Sequence, residues 1–180
     1  EKYRSIYGDD IPIKFHPEIR SVEACYKSSK FAIDLAKKTG ARLNVFHIST
    51  AKEIELFENK LTVENKKITA EVCAHHLWFT QNDYESLGSK IKWNPAIKTK
   101  KDKDALWKAI ENDYIDIIAS DHAPHTNDEK ENSYFKCPSG GPMVQHTILS
   151  LIDGSNNYGV SLEKIVEEIS HNPSKIFNIS

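Results

Sequence analysis

The sequence predicts an α/β fold built on a parallel sheet, and two observations carry that prediction. Apolar periodicity alternates along the chain in the order strand, helix, strand, helix, strand, helix. Such an order implies right-handed crossovers between parallel strands. The residues with chemistry to offer then gather where the candidate strands end, at His47-Ile48-Ser49-Thr50, at Ala74-His75-His76 and at Asp121-His122-Ala123-Pro124-His125. In sheets of this kind, ligands bind at the carboxyl ends of the strands.

Taken in order, the chain opens on a polar, turn-rich stretch with Gly8, Asp9, Asp10, Pro12 and Pro17. Ser21 has the character of an N-cap for a helix in which Ala24, Phe31, Leu35 and Ala36 recur at helical spacing until Gly40 stops it. Residues 42–48 read as a strand, and Thr50 caps a helix over 51–59. Residues 67–73 form a second strand, 91–94 a short extended segment before Pro95, and 102–112 a helix with Leu106, Trp107 and Ile110 on one side. Residues 116–120 make a short apolar strand, of the kind buried on both faces of a parallel sheet. A loop rich in Asp, Asn, Pro and Gly runs over 121–141, and two helices follow near 142–153 and 161–170. No repeat, low-complexity tract or linker divides the chain.

Composition narrows the function classes. The 24 basic and 26 acidic side chains give a net charge of −2, so there is no electrostatic footprint for nucleic acid or anionic lipid. A hydrophobic fraction of 39% excludes a wholly disordered chain. No run approaches the ~18 apolar residues of a membrane span, and none marks a signal peptide. Cys25, Cys73 and Cys137 are odd in number and form no C-x-x-C pair. That argues against a disulfide scaffold or cysteine-bound zinc and suits a reducing, cytoplasmic compartment. Nucleophile-elbow and phosphate-binding glycine motifs are absent, which leaves metal-assisted hydrolysis as the chemistry to test.

Each candidate residue has two readings. His47 is a metal ligand through one imidazole nitrogen, or a histidine bonded to backbone at a strand end. Asp121 is a metal ligand and general base, or a turn aspartate. His125 follows it by four residues across Pro124 and either faces the same pocket or is solvated. His75 and His76, read as neighbours on an extended segment, point opposite ways, so packing or supporting roles suit both. Asn94 precedes Pro95, which biases it to extended geometry, and it either presents its amide to a ligand or ends a strand. Gly140 and Gly141, in the Pro138-Ser139-Gly140-Gly141-Pro142 turn, allow close approach of backbone to a ligand or simply a flexible turn. Residues 98–101, Lys-Thr-Lys-Lys, read as a solvated face.

Four runs, Phe46–Glu53, Thr69–Leu77, Lys92–Lys98 and Ala119–His125, together resemble the type I bacterial dihydroorotases of the amidohydrolase superfamily in order, spacing and chemistry. The resemblance implies the second half of a TIM-like (β/α)8 metal-dependent hydrolase barrel, roughly strand six to helix eight. It implies a binuclear Zn²⁺ centre and reversible conversion of dihydroorotate to N-carbamoyl-aspartate in pyrimidine biosynthesis. On it, His47 is a zinc ligand and Asp121 both a zinc ligand and the catalytic base. Asn94, His125, Ser139 and Gly140 are substrate contacts, although the family usually carries a bulkier residue than Ser139.

The family's His-x-His, its bridging carboxylate or carbamylated lysine, its strand-five histidine and its substrate-binding arginine are not matched in these 180 residues. The chain starts at Glu1 in a charged stretch, its one methionine is Met143, and it stops at Ser180 directly after an apolar run. A (β/α)8 barrel takes about 250 residues. The expectation is therefore a partial barrel domain over 1–180, its N-terminal half and C-terminal strands lying outside the chain, inactive by itself. Its expected partners are a small-molecule substrate, not nucleic acid or membrane, with homo-oligomerisation or completion by the missing half. The competing expectations are a catalytically inactive dihydroorotase-like assembly partner and a hydrolase of another cyclic amide.

Overall fold

The computed structural model describes residues 1–179. Three parallel strands form its sheet in the order β1 (Leu43–Val45), β2 (Ile68–Cys73), β3 (Ile117–Ala119). Leu43 pairs with Ile68, and Glu71 with Ile117. Ahead of β1 come α1 (Lys2–Tyr7), a 3-10 turn, α2 (His16–Ile19) and α3 (Val22–Thr39). Between the strands lie α4 (Ala51–Ile54), then α5 (Ala74–Trp78), α6 (Tyr84–Leu87) and α7 (Lys100–Glu111). After β3 come α8 (Asn127–Lys130), α9 (Val144–Tyr158), α10 (Leu162–Val166) and α11 (Asn172–Phe177). The alternating order and parallel pairing are those of a partial β/α barrel. No helix among the described residues is long and apolar enough to cross a membrane.

Local chemistry explains most boundaries. Ser21 accepts the Ala24 N–H at the start of α3, and Gly40, at φ 74°, ends it in the left-handed conformation. Thr99 and Asp102 form a capping box, so α7 starts two residues before the expected Asp102. The core between sheet and helices holds Ile33, Ile48, Val72, Leu106, Ile110 and Leu151. Trp107 is its largest member, its Nε1 donating to Leu77 O at 3.0 Å and its ring stacked on Tyr158. Gly154 of α9 lets that ring approach, since a Cβ there would sit 2.1 Å from Trp107 Cζ2.

Several expectations need correction. The first strand is three residues long because His47 leaves extended geometry, with φ at 45°. The helix after Thr50 stops at Ile54, whereas 51–59 was expected. Of the segment expected to be extended, Ile91 ends a 3-10 turn that starts at Gly88, while Lys92 is extended, and the turn-rich opening contains α1 and α2. The 121–141 loop contains α8, nucleated by a Thr126/Glu129 capping box. On α3, Ile33 is buried while Phe31 is 72% exposed, so the periodic residues mark only part of the packed face. The last helix does not end near 170. It widens into a π-turn at Glu167–His171 and resumes as α11. Pro173 has no N–H for an α-helical bond and would clash with the carbonyl four residues back, and the wider turn accommodates it.

Candidate functional site

The site is built at the carboxyl ends of the three strands. His47 follows β1 and Asp121 follows β3, on either side of β2, and both adopt φ of 45°. Left-handed backbone at residues other than glycine is uncommon and clusters at functional sites. His47 is half-buried and Asp121 exposed. Between them stands Glu71 of β2. Its carboxylate lies 3.3 Å from the donating Nδ2 of Asn44, and its backbone carbonyl accepts the Ile48 N–H at 2.7 Å. Burial, with the Asp121 charge beside it, pushes the Glu71 pKa up to about 7. Sequence inspection assigned Glu71 no role, although a carboxylate inside an otherwise apolar strand was the available signal. An open cavity of about 510 Å³ runs along the edge of β1, with Arg20, Asn44, His47, Glu53 and Asn94 in its wall.

His75 and His76 are not on an extended segment. They sit on α5, both fully enclosed, with ring centroids 4.2 Å apart. A helical turn brings adjacent rings to one region where a strand would send them to opposite faces. His75 stacks on Trp93 at 4.5 Å, and its Nε2 lies 4.0 Å from Asp121 Oδ2. His76 Nε2 donates to Pro95 O at 3.0 Å. Burial drives the pKa of His75 well below its ordinary value and that of His76 to about 3, so both rings are neutral.

A third wall is the 134–141 loop. Asn94 Nδ2 donates to Ser139 Oγ at 3.0 Å, which brings two of the expected substrate contacts together. Gly140 N donates to Lys92 O, and Gly140 adopts φ of 131°, where a Cβ would meet Ala123 O at 2.6 Å. Gly141 pairs with His122 and lies against Trp93, whose Cζ2 would be 2.4 Å from a Cβ. The loop is tied down by two buried ammonium groups that sequence inspection missed, because lysine ordinarily faces water. Lys92 Nζ donates to Tyr134 O and Cys137 O, both at 2.6 Å. Lys130 Nζ donates to Gly140 O at 2.8 Å and Pro138 O at 3.0 Å. Lys98 corrects the expected solvated face in the same way, being 5% exposed with its Nζ donating to Arg20 O and Ala96 O. His125 has its Nδ1 3.6 Å from Glu129 Oε2.

For a metal, the His47 imidazole and the Asp121 carboxylate are donors of the right type, and the unpartnered His75 nitrogens lie beside the second. His47 and Asp121 fit part of a metal's coordination shell, short of the four ligands a closed tetrahedral zinc takes. Separately, Cys73, His75 and His76 form a cluster of metal-ligating groups.

No protein-family model matches the chain. Among curated proteins it is 35% identical over 176 residues to a dihydroorotase of Pyrococcus furiosus, covering 97% of the chain and 40% of that protein. It is 31% identical over 147 residues to a dihydroorotase of Clostridioides difficile, covering 81% and 35%. The chain thus spans about two fifths or less of the length of these relatives. Among solved structures, the dihydropyrimidinase of Brevibacillus agri superposes with a TM-score of 0.85 at 24% identity, over 98% of this chain and 40% of that one. In sequence the chain matches part of a dihydroorotase, and its fold is that of part of the barrel of such cyclic amidohydrolases.

Proposed function

We propose that this chain forms part of the active site of a zinc-dependent dihydroorotase, interconverting dihydroorotate and N-carbamoyl-aspartate in pyrimidine biosynthesis. The arrangement that carries the reading is the pair of left-handed strand ends, His47 and Asp121, with Glu71 between them in a chain 35% identical to a dihydroorotase. His47 and Asp121 would hold zinc, and zinc when bound supplies Lewis acidity and lowers the pKa of water. The Asp121 carboxylate takes a proton on the nucleophile side and returns it to the ring nitrogen that leaves. Asn94, Ser139 and the Gly140 backbone orient the cyclic amide, and His125 reaches its carboxylate. The remaining metal ligands and the arginine for that carboxylate lie in barrel segments outside 1–180. In this reading the protein is cytoplasmic, consistent with three free cysteines, and works as a homo-oligomer.

The test is hydrolysis of dihydroorotate by the polypeptide that carries this chain together with the rest of its barrel. Asp121→Asn is expected to lower kcat at least about 100-fold with the fold intact by circular dichroism. The 180-residue chain alone is expected to show no turnover. Hydrolysis of hydantoin or dihydrouracil in preference to dihydroorotate would overturn the substrate. Full activity in Asp121→Asn would overturn the mechanism, and turnover by the isolated chain would overturn the partial-site reading.

A further inference from the structure

Buried polar side-chain atoms are nearly always hydrogen-bonded, yet four around α5 have no partner among the described residues. They are Nδ1 and Nε2 of His75, Nδ1 of His76 and Nε1 of Trp93. Ring contacts hold three of these side chains together, His75 lying nearly parallel over Trp93 and against His76. The thiol of Cys73, at the last position of β2, joins them. Ligand atoms of Cys73, His75 and His76 all lie within 4.8 Å of one another, and none of the three residues is more than 3% exposed.

The proton placement suits a ligand set. His76 Nε2 donates to Pro95 O, which leaves the Nδ1 lone pair free on the other side of the ring. A carbonyl accepting the second N–H is the usual brace of a metal-bound histidine. His75 is neutral as well, so each imidazole offers a lone pair. Asp121, exposed to solvent, sits 4.0 Å from His75 Nε2 and marks a way in.

We propose that Cys73 Sγ and one ring nitrogen each of His75 and His76 form a site for a single thiophilic divalent ion, such as zinc or cadmium. On binding, the S–H bond of Cys73 breaks as the sulfur–metal bond forms, and the proton leaves to solvent, with no change of oxidation state. Tetrahedral zinc has Zn–S of about 2.3 Å and Zn–N of about 2.0–2.1 Å, so the cluster closes inward slightly. The fourth position goes to water. The absence of a C-x-x-C motif hid this site, because its ligands are a thiol and two imidazoles within four consecutive residues.

The proposal is independent of the dihydroorotase reading, whose ligands His47 and Asp121 offer only nitrogen and oxygen. The test is titration of the purified 180-residue chain with Cd²⁺ or Co²⁺, followed by the sulfur-to-metal charge-transfer band. One equivalent is expected to give the band with release of one proton. Cys73→Ser is expected to lose it, while Cys25→Ser and Cys137→Ser retain it. His47→Ala/Asp121→Asn is expected to leave the band in place, so loss of metal from that pair and failure of the thiolate site are read separately. X-ray absorption of the zinc-loaded wild-type chain needs no variant and is expected to show one sulfur and two imidazole nitrogens in the first shell. No band at metal excess, a band that survives Cys73→Ser, or a shell of nitrogen and oxygen alone would overturn the proposal.

Discussion

At the amino ends of β2 and β3, Lys66 and Asp116 are 3% and 4% exposed, and each finds partners. Lys66 Nζ lies 2.7 Å from Asp116 Oδ1 and donates to Asp113 O at 2.8 Å. Asp116 Oδ2 accepts the Ala70 N–H, and Asn172 Nδ2 donates to the Asp116 carbonyl. At the carboxyl ends, His75 is equally buried and has no hydrogen-bond partner among the described residues, Asp121 faces solvent, and His47 and Asp121 carry left-handed backbone. At the amino end the charged groups of the strands satisfy each other, although Glu168 Oε1 and Oε2 and Asn172 Oδ1 nearby have no hydrogen bond among the described residues; at the carboxyl end the groups at the strand ends themselves are left open. Groups whose bonds are already made hold the fold. Lone pairs, strained backbone and an exposed carboxylate are what a ligand can use, and in barrels of this class the chemistry sits at the carboxyl end and stability at the other.

The largest expected effect tests the paired charges of the amino end. Lys66→Met leaves the Asp116 carboxylate buried against one backbone N–H, and breaking a buried pair from one side costs about 3–5 kcal/mol. Urea unfolding is expected to show that loss at pH 7. Burial already pushes the Asp116 pKa above its ordinary value. The loss is therefore expected to shrink in acid, where Asp116 takes up a proton. A loss under 1 kcal/mol would mean that this end is no more committed to stability than the other.

The next effect separates two groups of the carboxyl end by pH. His16 Nε2 lies 2.7 Å from Trp93 O and its Nδ1 2.7 Å from the Tyr134 hydroxyl, so it braces the loop that walls the site. Burial, aided by the charges of Lys92, Lys98 and Arg20, pulls its pKa to about 4, from 6.5 when unfolded. A depressed pKa means that its contribution is complete above pH 6.5 and is lost as pH falls through 4. Glu71 works the other way. Its pKa is raised from 4.5 to about 7, so its contribution is present below 4.5 and lost as pH rises through 7. Subtracting the profile of His16→Gln from that of the wild type cancels Glu71. The difference is expected to fall by on the order of 3 kcal/mol between pH 7 and pH 4. A flat difference would place His16 outside the stability of this wall.

The unequal legibility of the two ends has a physical origin. The strands and the caps at Ser21, Thr50 and Gly40 could be read because each depends on a few adjacent residues. The strand-end placement of His47 and Asp121 followed from the alternation of elements. What could not be read depends on partners far along the chain. Lys92 and Lys130 meet the carbonyls of 134–140 only after folding, and Lys66 meets Asp116 across 50 positions. A lysine in a polar stretch looks the same whether it ends in water or in a cage of carbonyls. His75 and His76 were misread for a local reason. The strand ends at Cys73 as expected, but nothing in Ala74-His75-His76 announces that the helical turn of α5 begins at once.

The smallest expected effect tests the open carboxyl end directly. If the nitrogens of His75 have no partner in the metal-free chain, His75→Phe removes two buried polar atoms whose desolvation is uncompensated, and keeps the stack on Trp93. Removing an unpaired polar atom in favour of an apolar group of similar shape is close to neutral or stabilising, and the aromatic pair is retained. Urea unfolding of the metal-free protein is thus expected to differ from wild type by less than about 1 kcal/mol, with the variant favoured. Added Zn²⁺ is expected to raise the wild-type midpoint and leave the variant unmoved, because any ion that binds only the folded state stabilises it by mass action. A loss of about 3 kcal/mol without metal would mean that these nitrogens have partners after all. The strand-end groups of the carboxyl end would then be paired like Lys66 and Asp116, and the contrast between them would fail.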